Sequence, residues 1–160
     1  MARSSLRKTP DAVLIDIVRQ VEARGDGDIA ASILRLVDGR LRLEAAAGLP
    51  AEYREAIDGF EVGPNTGSCG TAAHRGHPIY VPDIGSDILW AGCPALRGSA
   101  LAAGFNACWS MPIIGADRCV LGCFAIYHRD PRGPTAAERR VIAETAAAAS
   151  KLLAQPAIAA

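Results

Sequence analysis

Apolar residues recur with a helical period close to the start of the chain. They are spaced three and four positions apart after Pro10, and this spacing places them on one stripe of a helix. The residues of the stripe are Val13, Leu14, Ile17, Val18 and Val21. Thr9 is the expected N-cap, with proline in the first turn, and the helix should end by Gly25.

The middle of the chain changes to patterns typical of β-strands. The predicted strands cover residues 30–37, 41–47, 79–81, 106–114 and 118–128. Asp38-Gly39 separates the first two strands and favours a two-residue hairpin turn. Residues 115–117 form a second hairpin between the last two strands, and His128 is expected to help end the last one. The sheet should therefore be largely antiparallel.

Helical segments are predicted between and after these strands. A short helix follows Pro50, and another runs to Arg75 with Thr66 or Ser68 as its cap. Residues 88–101 are predicted to form a loop with a helical part, because glycines and a proline within this segment weaken a continuous helix. The last helix is predicted to begin with a capping box at Thr135 to Glu138 and to run to about Leu153. The fold class that follows is α+β, with helices on the faces of the sheet.

Composition and charge narrow the function. The chain has 160 residues, enough for one domain with its own core. Its 17 basic side chains balance 17 acidic ones, which disfavours binding to nucleic acid or to an anionic membrane. The N-terminal segment lacks the apolar core of a signal peptide, so a cytoplasmic location is expected. The five cysteines should then be reduced rather than paired as disulfides.

Alternation along the last two strands divides their side chains between two faces. Cys108 and Ser110 share one face of the first strand, whereas Trp109 and its alternate neighbours share the other. On the second strand, Cys123, Ala125 and Tyr127 alternate in the same way. Each of the two strands therefore has one face that carries thiol and hydroxyl side chains.

Five motifs give the chain a family resemblance. They are G-P-N-T-G-S-C-G-T-A at 63–72, L-W-A at 89–91, A-C-W-S-M-P-I at 107–113, V-L-G-C-F-A-I-Y at 120–127 and T-A-A-E at 135–138. Together they resemble the GAF domain, a ligand-sensing module of bacterial signalling proteins. The resemblance covers residues 9–155 and leaves 1–8 and 156–160 as expected flexible termini. It implies an α+β fold with a GAF-like antiparallel β-sheet, the N- and C-terminal helices on one face, and the ligand-pocket helices and loops on the other.

The resemblance also implies a binding site and a role. The expected ligand-binding residues are Cys69, Tyr80, Trp90, Cys93, Phe105, Cys108, Ser110, Cys123 and Tyr127. The ligand implied is small and uncharged or weakly polar, and neither its identity nor a cofactor is specified. As a sensory domain and not an enzyme, the chain would relay ligand occupancy through its terminal helices. It would do so as a homodimer in a signal-transduction system with an output kinase or cyclase domain as partner.

Two alternatives use the cysteines differently. The turn 68–72 is similar to one in free methionine-R-sulfoxide reductase, and Cys93 would be the catalytic thiol of such an enzyme. The strands here lack the acidic groups that would hold a zwitterionic substrate, and burying that substrate unpaired costs several kcal/mol. In the second alternative, Cys69, Cys93, Cys108 and Cys123 would ligate zinc or an iron–sulfur centre of a redox sensor. No pair of cysteines has the short C-x-x-C spacing.

Overall fold

A six-stranded antiparallel sheet with helices on both faces forms the protein. The computed structural model describes residues 10–25 and 27–155. In chain order the elements are α1 (Pro10–Ala23), β1 (Ile29–Val37), β2 (Arg40–Ala46), α2 (Ala51–Ile57), β3 (Phe60–Glu61), α3 (Gly67–Arg75), β4 (Ile79–Val81), α4 (Ile88–Ala91), α5 (Pro94–Ala102), β5 (Ala107–Ile114), β6 (Val120–His128) and α6 (Ala136–Leu153). The predicted flexible termini and the predicted cap Thr9 lie outside the described residues.

The strand order across the sheet is β3-β2-β1-β6-β5-β4, and every neighbouring pair is antiparallel. The predicted α+β class is confirmed, as are both hairpins. At the first hairpin Asp38 and Gly39 have φ of 51° and 76°, the left-handed conformation that a two-residue turn between twisted strands requires. The two-residue strand β3, which pairs with the start of β2, was not predicted.

One of the helix caps predicted from the sequence is present in the structure, and another is absent. The capping box of α6 is present, with the Glu138 amide donating to Thr135 Oγ1 and the Thr135 amide donating to Glu138 Oε1. The predicted side-chain cap of α3 is absent: Thr66 stands at the N-cap position, but its hydroxyl bonds to the backbone of Gly63. Ser68 is directed into the core instead, so it does not cap the helix either.

Residues 88–101 are more helical than the sequence predicted. They form two short helices, α4 and α5, that meet at Gly92. The Asp87 carboxylate caps α4 by accepting a hydrogen bond from the Leu89 amide at 2.8 Å. Pro94 stands in the first turn of α5, where its missing N–H costs nothing. Of the residues that argued for a loop, Gly92 and Pro94 therefore mark helix ends, whereas Gly98 lies inside α5.

The sheet has an apolar core on each face. The core beneath α1 and α6 includes Leu14, Val18, Trp109, Phe124 and Ile142. The core beneath α2 to α5 includes Tyr53, Trp90, Phe105, Cys108 and Tyr127. The predicted two-faced arrangement, with the terminal helices on one side, is therefore confirmed. None of the described helices is long and apolar enough to cross a membrane.

Gly122 lets the central strands approach the end of α6. A Cβ atom at this position of β6 would lie 2.0 Å from the backbone oxygen of Leu34 and 3.1 Å from Leu153 Cδ1. Neither the β1 backbone nor the packed leucine can move away freely, because both belong to the core. The glycine is thus required by close packing.

His128 is the last residue of β6 and is 5% exposed. Its ring lies 3.9 Å from that of Trp109, between centroids, on the face of the terminal helices. Nε2 is the single buried side-chain nitrogen or oxygen without a hydrogen-bond partner in the described part of the chain. Burial lowers the pKa of His128 from 6.5 to about 4, and the nearby Arg132 adds to this effect.

We expect Gly122→Ala to destabilise the protein by about 3 kcal/mol, at the upper end for overpacking, because its methyl group meets backbone. Chemical denaturation measures this free energy of unfolding. Gly98→Ala in α5 is the matched control, since a Cβ there meets nothing within 4 Å. It should gain up to about 1 kcal/mol from helix propensity. Equal stability of the two variants would contradict the packing at Gly122.

His128 should make stability depend on pH between about 6.5 and 4. Its pKa is lower in the folded chain than in the unfolded one, so unfolding takes up a proton in this window. The contribution is complete above pH 6.5 and is lost as the pH falls through about 4. As the pH is lowered across this range, the denaturation midpoint should fall less steeply for His128→Phe than for the parent protein. His74→Phe, a change at an exposed position, is the control and should behave like the parent. An unchanged slope in His128→Phe would contradict the prediction.

Candidate functional site

Six thiol and hydroxyl side chains meet on the sheet face that lies beneath α2 to α5. We call this group the polar cluster; it consists of Ser68, Cys69, Cys108, Ser110, Cys123 and Tyr127, and all six are buried. α3 supplies the first two, β5 the next two and β6 the last two. The strand alternation predicted this shared face for the β5 and β6 members.

Ser110 contacts two of the three buried thiols. Its Oγ lies 3.2 Å from Cys69 Sγ and 3.7 Å from Cys108 Sγ, within hydrogen-bond reach of both. On the neighbouring side, Ser68 Oγ accepts a hydrogen bond from Trp90 Nε1 at 2.9 Å and donates to the Cys108 carbonyl at 3.3 Å. These bonds tie α3 and α4 to the middle of β5.

Tyr127 extends the polar cluster toward the centre of the sheet. Its hydroxyl lies 3.3 Å from the buried Ser32 Oγ on β1, and either oxygen is able to donate. Hydroxyls and thiols both donate and accept weakly directed hydrogen bonds, so the same groups are able to exchange partners. The polar cluster therefore offers adaptable hydrogen bonding in an otherwise apolar layer.

The three buried thiols differ in acidity. A hydrogen bond from Cys123 lowers the pKa of Cys69, bonds from Ser110 and Tyr127 add to this, and burial works against it. Burial raises the pKa of Cys108 and of Cys123, and the neighbouring Cys69 raises both further. Cys69 is consequently the thiol of the cluster that gives up its proton most readily.

Three aromatic rings pack against the polar cluster. Tyr53 from α2 makes edge-to-face contacts with Phe105 and Tyr127, with centroid distances of 5.6 Å and 5.3 Å. Phe105 and Tyr127 are 5.2 Å apart and tilted. Such pairs add stability beyond the burial of their area. Burial also raises the pKa of Tyr53 and of Tyr127, which keeps both phenols neutral.

The space left between this aromatic group and the polar cluster is about 10 Å³, close to the minimum that holds one water molecule. We call it the inner chamber. The sequence led us to expect an open chamber for a guest molecule, and in this conformation the chamber is closed. The main reason is Tyr53, which enters from α2 and was not among the predicted site residues. None of the residues that line the inner chamber carries a charged side chain.

A wider groove adjoins the inner chamber. Its volume is about 460 Å³, and Pro94, Ala95 and Ser99 of α5 form one wall. Phe60, Thr66 and Leu96 line both the groove and the inner chamber, so these three side chains separate the two spaces. We call them the partition. Displacement of the partition would join the two spaces.

Seven of the nine predicted site residues lie in or beside the inner chamber and its polar cluster. They are Cys69, Trp90, Phe105, Cys108, Ser110, Cys123 and Tyr127. Cys93 instead lies at the start of α5 and lines the outer groove. Burial raises the pKa of the Cys93 thiol, which is not the activation expected of a nucleophile.

Tyr80 is on the wrong side of the sheet for the predicted role. It pairs with Trp109 across β4 and β5 and packs in the core beneath the terminal helices. The Arg139 guanidinium of α6 lies 4.8 Å from its ring centroid. Its strand neighbours Ile79 and Val81 pack in the core beneath α2 to α5 instead. A three-residue strand is too short for its alternation to reveal which face is which.

Sequence reasoning also missed residues that shape the site. Tyr53 and Ile57 are buried on α2 at a spacing of one helical turn, a signal that was available. Ser68 was read as a possible cap, and Ser32 as an ordinary strand residue. Both are fully buried, and only the tertiary structure reveals their partners Trp90 and Tyr127.

The metal alternative needed four thiols around one point. The structure brings three together and leaves Cys93 in the outer groove, while Cys119 is exposed. Throughout the residues that the structure describes, no group of three or more His, Cys, Asp or Glu side chains is arranged to hold a metal ion. The thiols therefore do not fit the zinc or iron–sulfur centre considered from the sequence.

Comparison with known proteins identifies a family. The family model described as GAF domain matches residues 8–154. The methyl sulfide methyltransferase-associated sensor of Methanosarcina acetivorans is 35% identical over 133 residues, which is 82% of this chain. The chain spans only 13% of the length of that relative.

Solved structures agree in fold. The GAF domain of a phosphoenolpyruvate-protein phosphotransferase from Coxiella burnetii has a TM-score of 0.76 at 17% identity, and covers 93% of this chain and 84% of its own. Type II free methionine-R-sulfoxide reductase from Thermoplasma acidophilum has a TM-score of 0.70 at 14% identity, covering 90% and 92%. The fold is thus found both in a domain of a phosphotransferase and in a reductase.

Thiol accessibility tests the geometry of the polar cluster. With a chromogenic aromatic disulfide, we expect exposed Cys119 to react fast, half-buried Cys93 to react slowly, and the three buried thiols to react only after unfolding. Cys119→Ser should remove the fast phase and leave the others. Fast reaction of a cluster thiol in the folded protein would contradict the closed chamber.

Proposed function

Because this chain belongs to the GAF domain family, we propose that it is a sensory domain that binds a small, uncharged molecule in the inner chamber. The observation that carries the proposal is the polar cluster itself. Three elements converge to place thiols and hydroxyls beside aromatic rings in one buried layer. Apolar walls with a few convergent polar groups are the usual composition of small-molecule sites.

The chemistry of the walls limits the ligand. An ion would enter a space lined by thiols, hydroxyls and rings with no charged side chain to pair with it. Burying such an ion is costly, whereas a neutral guest loses little. Cys69, Cys108 and the aromatic rings also present polarisable surfaces to the chamber, which suit sulfur-containing or aromatic guests. The relative named for its association with a methyl sulfide methyltransferase makes a thioether a sensible first candidate.

Entry requires the inner chamber to open. The closed conformation has space for one water at most, while the outer groove reaches the partition of Phe60, Thr66 and Leu96. A guest that enters from the groove would displace the partition and stabilise an open arrangement of α2, α4 and α5. A ligand shifts such an equilibrium only by its difference in affinity for the two forms. The closed form is then the unliganded state of a sensor.

The relay would pass through the sheet to the terminal helices. β5 and β6 carry the polar cluster on one face and contact α6 on the other. The outer face of α6 presents small exposed residues such as Ala143, Ala147 and Ala148, over which a second copy of the chain could approach closely. We infer a homodimer through α1 and α6 that passes its state to an output kinase or cyclase domain.

A reductase activity is the less favoured function. The structural neighbour from Thermoplasma acidophilum has the same fold, but fold similarity at 14% identity carries no activity with it. A methionine sulfoxide zwitterion would find no charged partner in the inner chamber. Cys93, the candidate nucleophile, has a raised pKa and no general base was identified beside it in the described residues.

Titration followed by the indole N–H signals in NMR tests the proposal. The chain has two tryptophans, and Trp90→Phe assigns the Trp90 signal by its disappearance. We expect dimethyl sulfide or phenol to shift the Trp90 signal saturably, because Trp90 lines the inner chamber and bonds to Ser68. Absence of a saturable shift with both probes would contradict binding at this site.

A pair of matched variants localises the binding. Cys108→Leu fills the space that a guest needs and should weaken binding about tenfold or more. Cys119→Leu makes the same change at an exposed position and should leave binding unchanged. Thermal unfolding checks that both variants are folded. Equal affinity in the two variants would place the guest elsewhere.

A further inference from the structure

A second cavity lies on the opposite face of the sheet, between the terminal helices and the two central strands. Its volume is about 230 Å³, and we call it the helix-side cavity. Its inner wall consists of Val21, Ile29, Trp109, Ile126, His128 and Val141. α1, α6, β5 and β6 all contribute, so the cavity lies where the terminal helices meet the sheet. It shares no lining residue with the inner chamber.

The polar groups around this cavity are satisfied with one exception. Trp109 Nε1 donates to the Arg132 carbonyl at 2.9 Å. Three charged side chains lie at the rim: Arg132, whose guanidinium lies 4.8 Å from the Trp109 ring centroid and forms an ion pair with Glu138, and the solvent-exposed Arg24. His128 Nε2 has no partner, although it is buried. An unmade hydrogen bond at such a group costs free energy that a suitable guest would recover.

The protonation state of His128 selects the kind of guest. Burial lowers its pKa to about 4, so the ring is neutral near pH 7. A neutral imidazole nitrogen donates or accepts a single hydrogen bond and does not attract an anion. The rest of the inner wall is aromatic and aliphatic, and the charged side chains are confined to the rim. These features favour an uncharged molecule with one hydrogen-bonding group.

The volume indicates the size of the guest. An apolar cavity of about 150 Å³ is large enough to bind benzene. The helix-side cavity exceeds this value and therefore has room for a molecule with two fused rings. We propose that the helix-side cavity is a second binding site, which takes a flat, uncharged aromatic molecule that hydrogen-bonds to His128.

Binding there requires a small local adjustment. Nε2 is closed off from solvent in this conformation, and the imidazole is held against Trp109. Because His128 lines the cavity, a rotation of its ring about the bond to Cβ would bring Nε2 to the guest. Terminal torsions of this kind have broad minima, so the rotation is inexpensive. The new hydrogen bond offsets its cost.

The position of the site gives it a direct effect on the terminal helices. Val21 belongs to α1 and Val141 to α6, while Trp109 and His128 belong to the sheet. A guest in contact with all of them stabilises one packing of both helices on the sheet. The helix-side cavity therefore acts on the helices without passing through the inner chamber. This inference does not depend on the proposed function.

Indole serves as the probe, and the indole N–H signals of the protein report its position. We expect indole to shift the Trp109 signal saturably, whether or not it also shifts the Trp90 signal. The signals are assigned with Trp90→Phe. A saturable shift of the Trp90 signal alone, or no saturable shift at millimolar indole, would overturn the proposal.

Variants of the cavity wall supply the second test. Val141→Phe fills the cavity and should abolish the shift of the Trp109 signal. If this variant fails to fold, Ala137→Phe at the rim replaces it and should have the same effect. His128→Phe keeps the ring but removes the hydrogen bond, and should weaken indole binding by about two- to tenfold. Ile88→Phe makes a similar change at an exposed position that lines neither cavity, and this control should bind indole like the parent. Unchanged affinity in both His128→Phe and Val141→Phe would overturn the site.

Discussion

Burial of both faces of β5 and β6 is the constraint from which the rest of the structure follows. Neighbouring residues along these strands belong to different cores, as Cys108 and Trp109 do on β5 and Tyr127 and His128 do on β6. A shift of register by one residue would place the thiols beneath the terminal helices and Trp109 in the inner chamber. The pairing is secured at the centre by Gly122, which allows the β1 backbone to approach closely. Register, packing and both binding sites therefore depend on one another.

This two-faced burial also explains which features could be predicted from the sequence. A strand that alternates thiols and hydroxyls with bulky apolar groups reveals its two faces, and the faces of Cys108, Ser110, Cys123 and Tyr127 were predicted correctly. The capping box at Thr135 is likewise a local signal, since donor and acceptor are three residues apart. Features that are determined by neighbours in the sequence could be predicted. Features that are determined by contacts between distant parts of the chain could not be predicted.

Tyr53 and Tyr80 illustrate the second class. Tyr53 lies on a short helix, and nothing local indicates that its ring reaches Phe105 and Tyr127 across the core. Tyr80 lies on a three-residue strand whose facing is set by its partner Trp109 on β5. His128 was expected only to end a strand, and its buried, unpartnered nitrogen depends on the packing of α1 and α6. Whether a chamber is open or closed depends on contacts between residues that are distant in the sequence. The residue types at a site were therefore easier to predict than the free volume of the site.

The two proposed sites lie on opposite faces of the same strands, β5 and β6. A guest in the inner chamber contacts the face of β5 and β6 opposite to the one that a guest in the helix-side cavity contacts. If each guest favours a particular packing of these strands, the coupling free energy between them is reciprocal by necessity.

The far end of α6 is also tied to the sheet. The half-buried Arg35 of β1 pairs with Glu44 and donates to the Leu153 carbonyl at 2.8 Å. Arg35 lies opposite Gly122 in the register of β1 and β6. A movement of the central strands would thus act on both ends of α6, through the contacts of Arg132 with Trp109 and Glu138 at its start and through Arg35 at its end. That two-point attachment favours displacement of the whole helix over bending of one end, because bending would break one attachment while the other stayed in place.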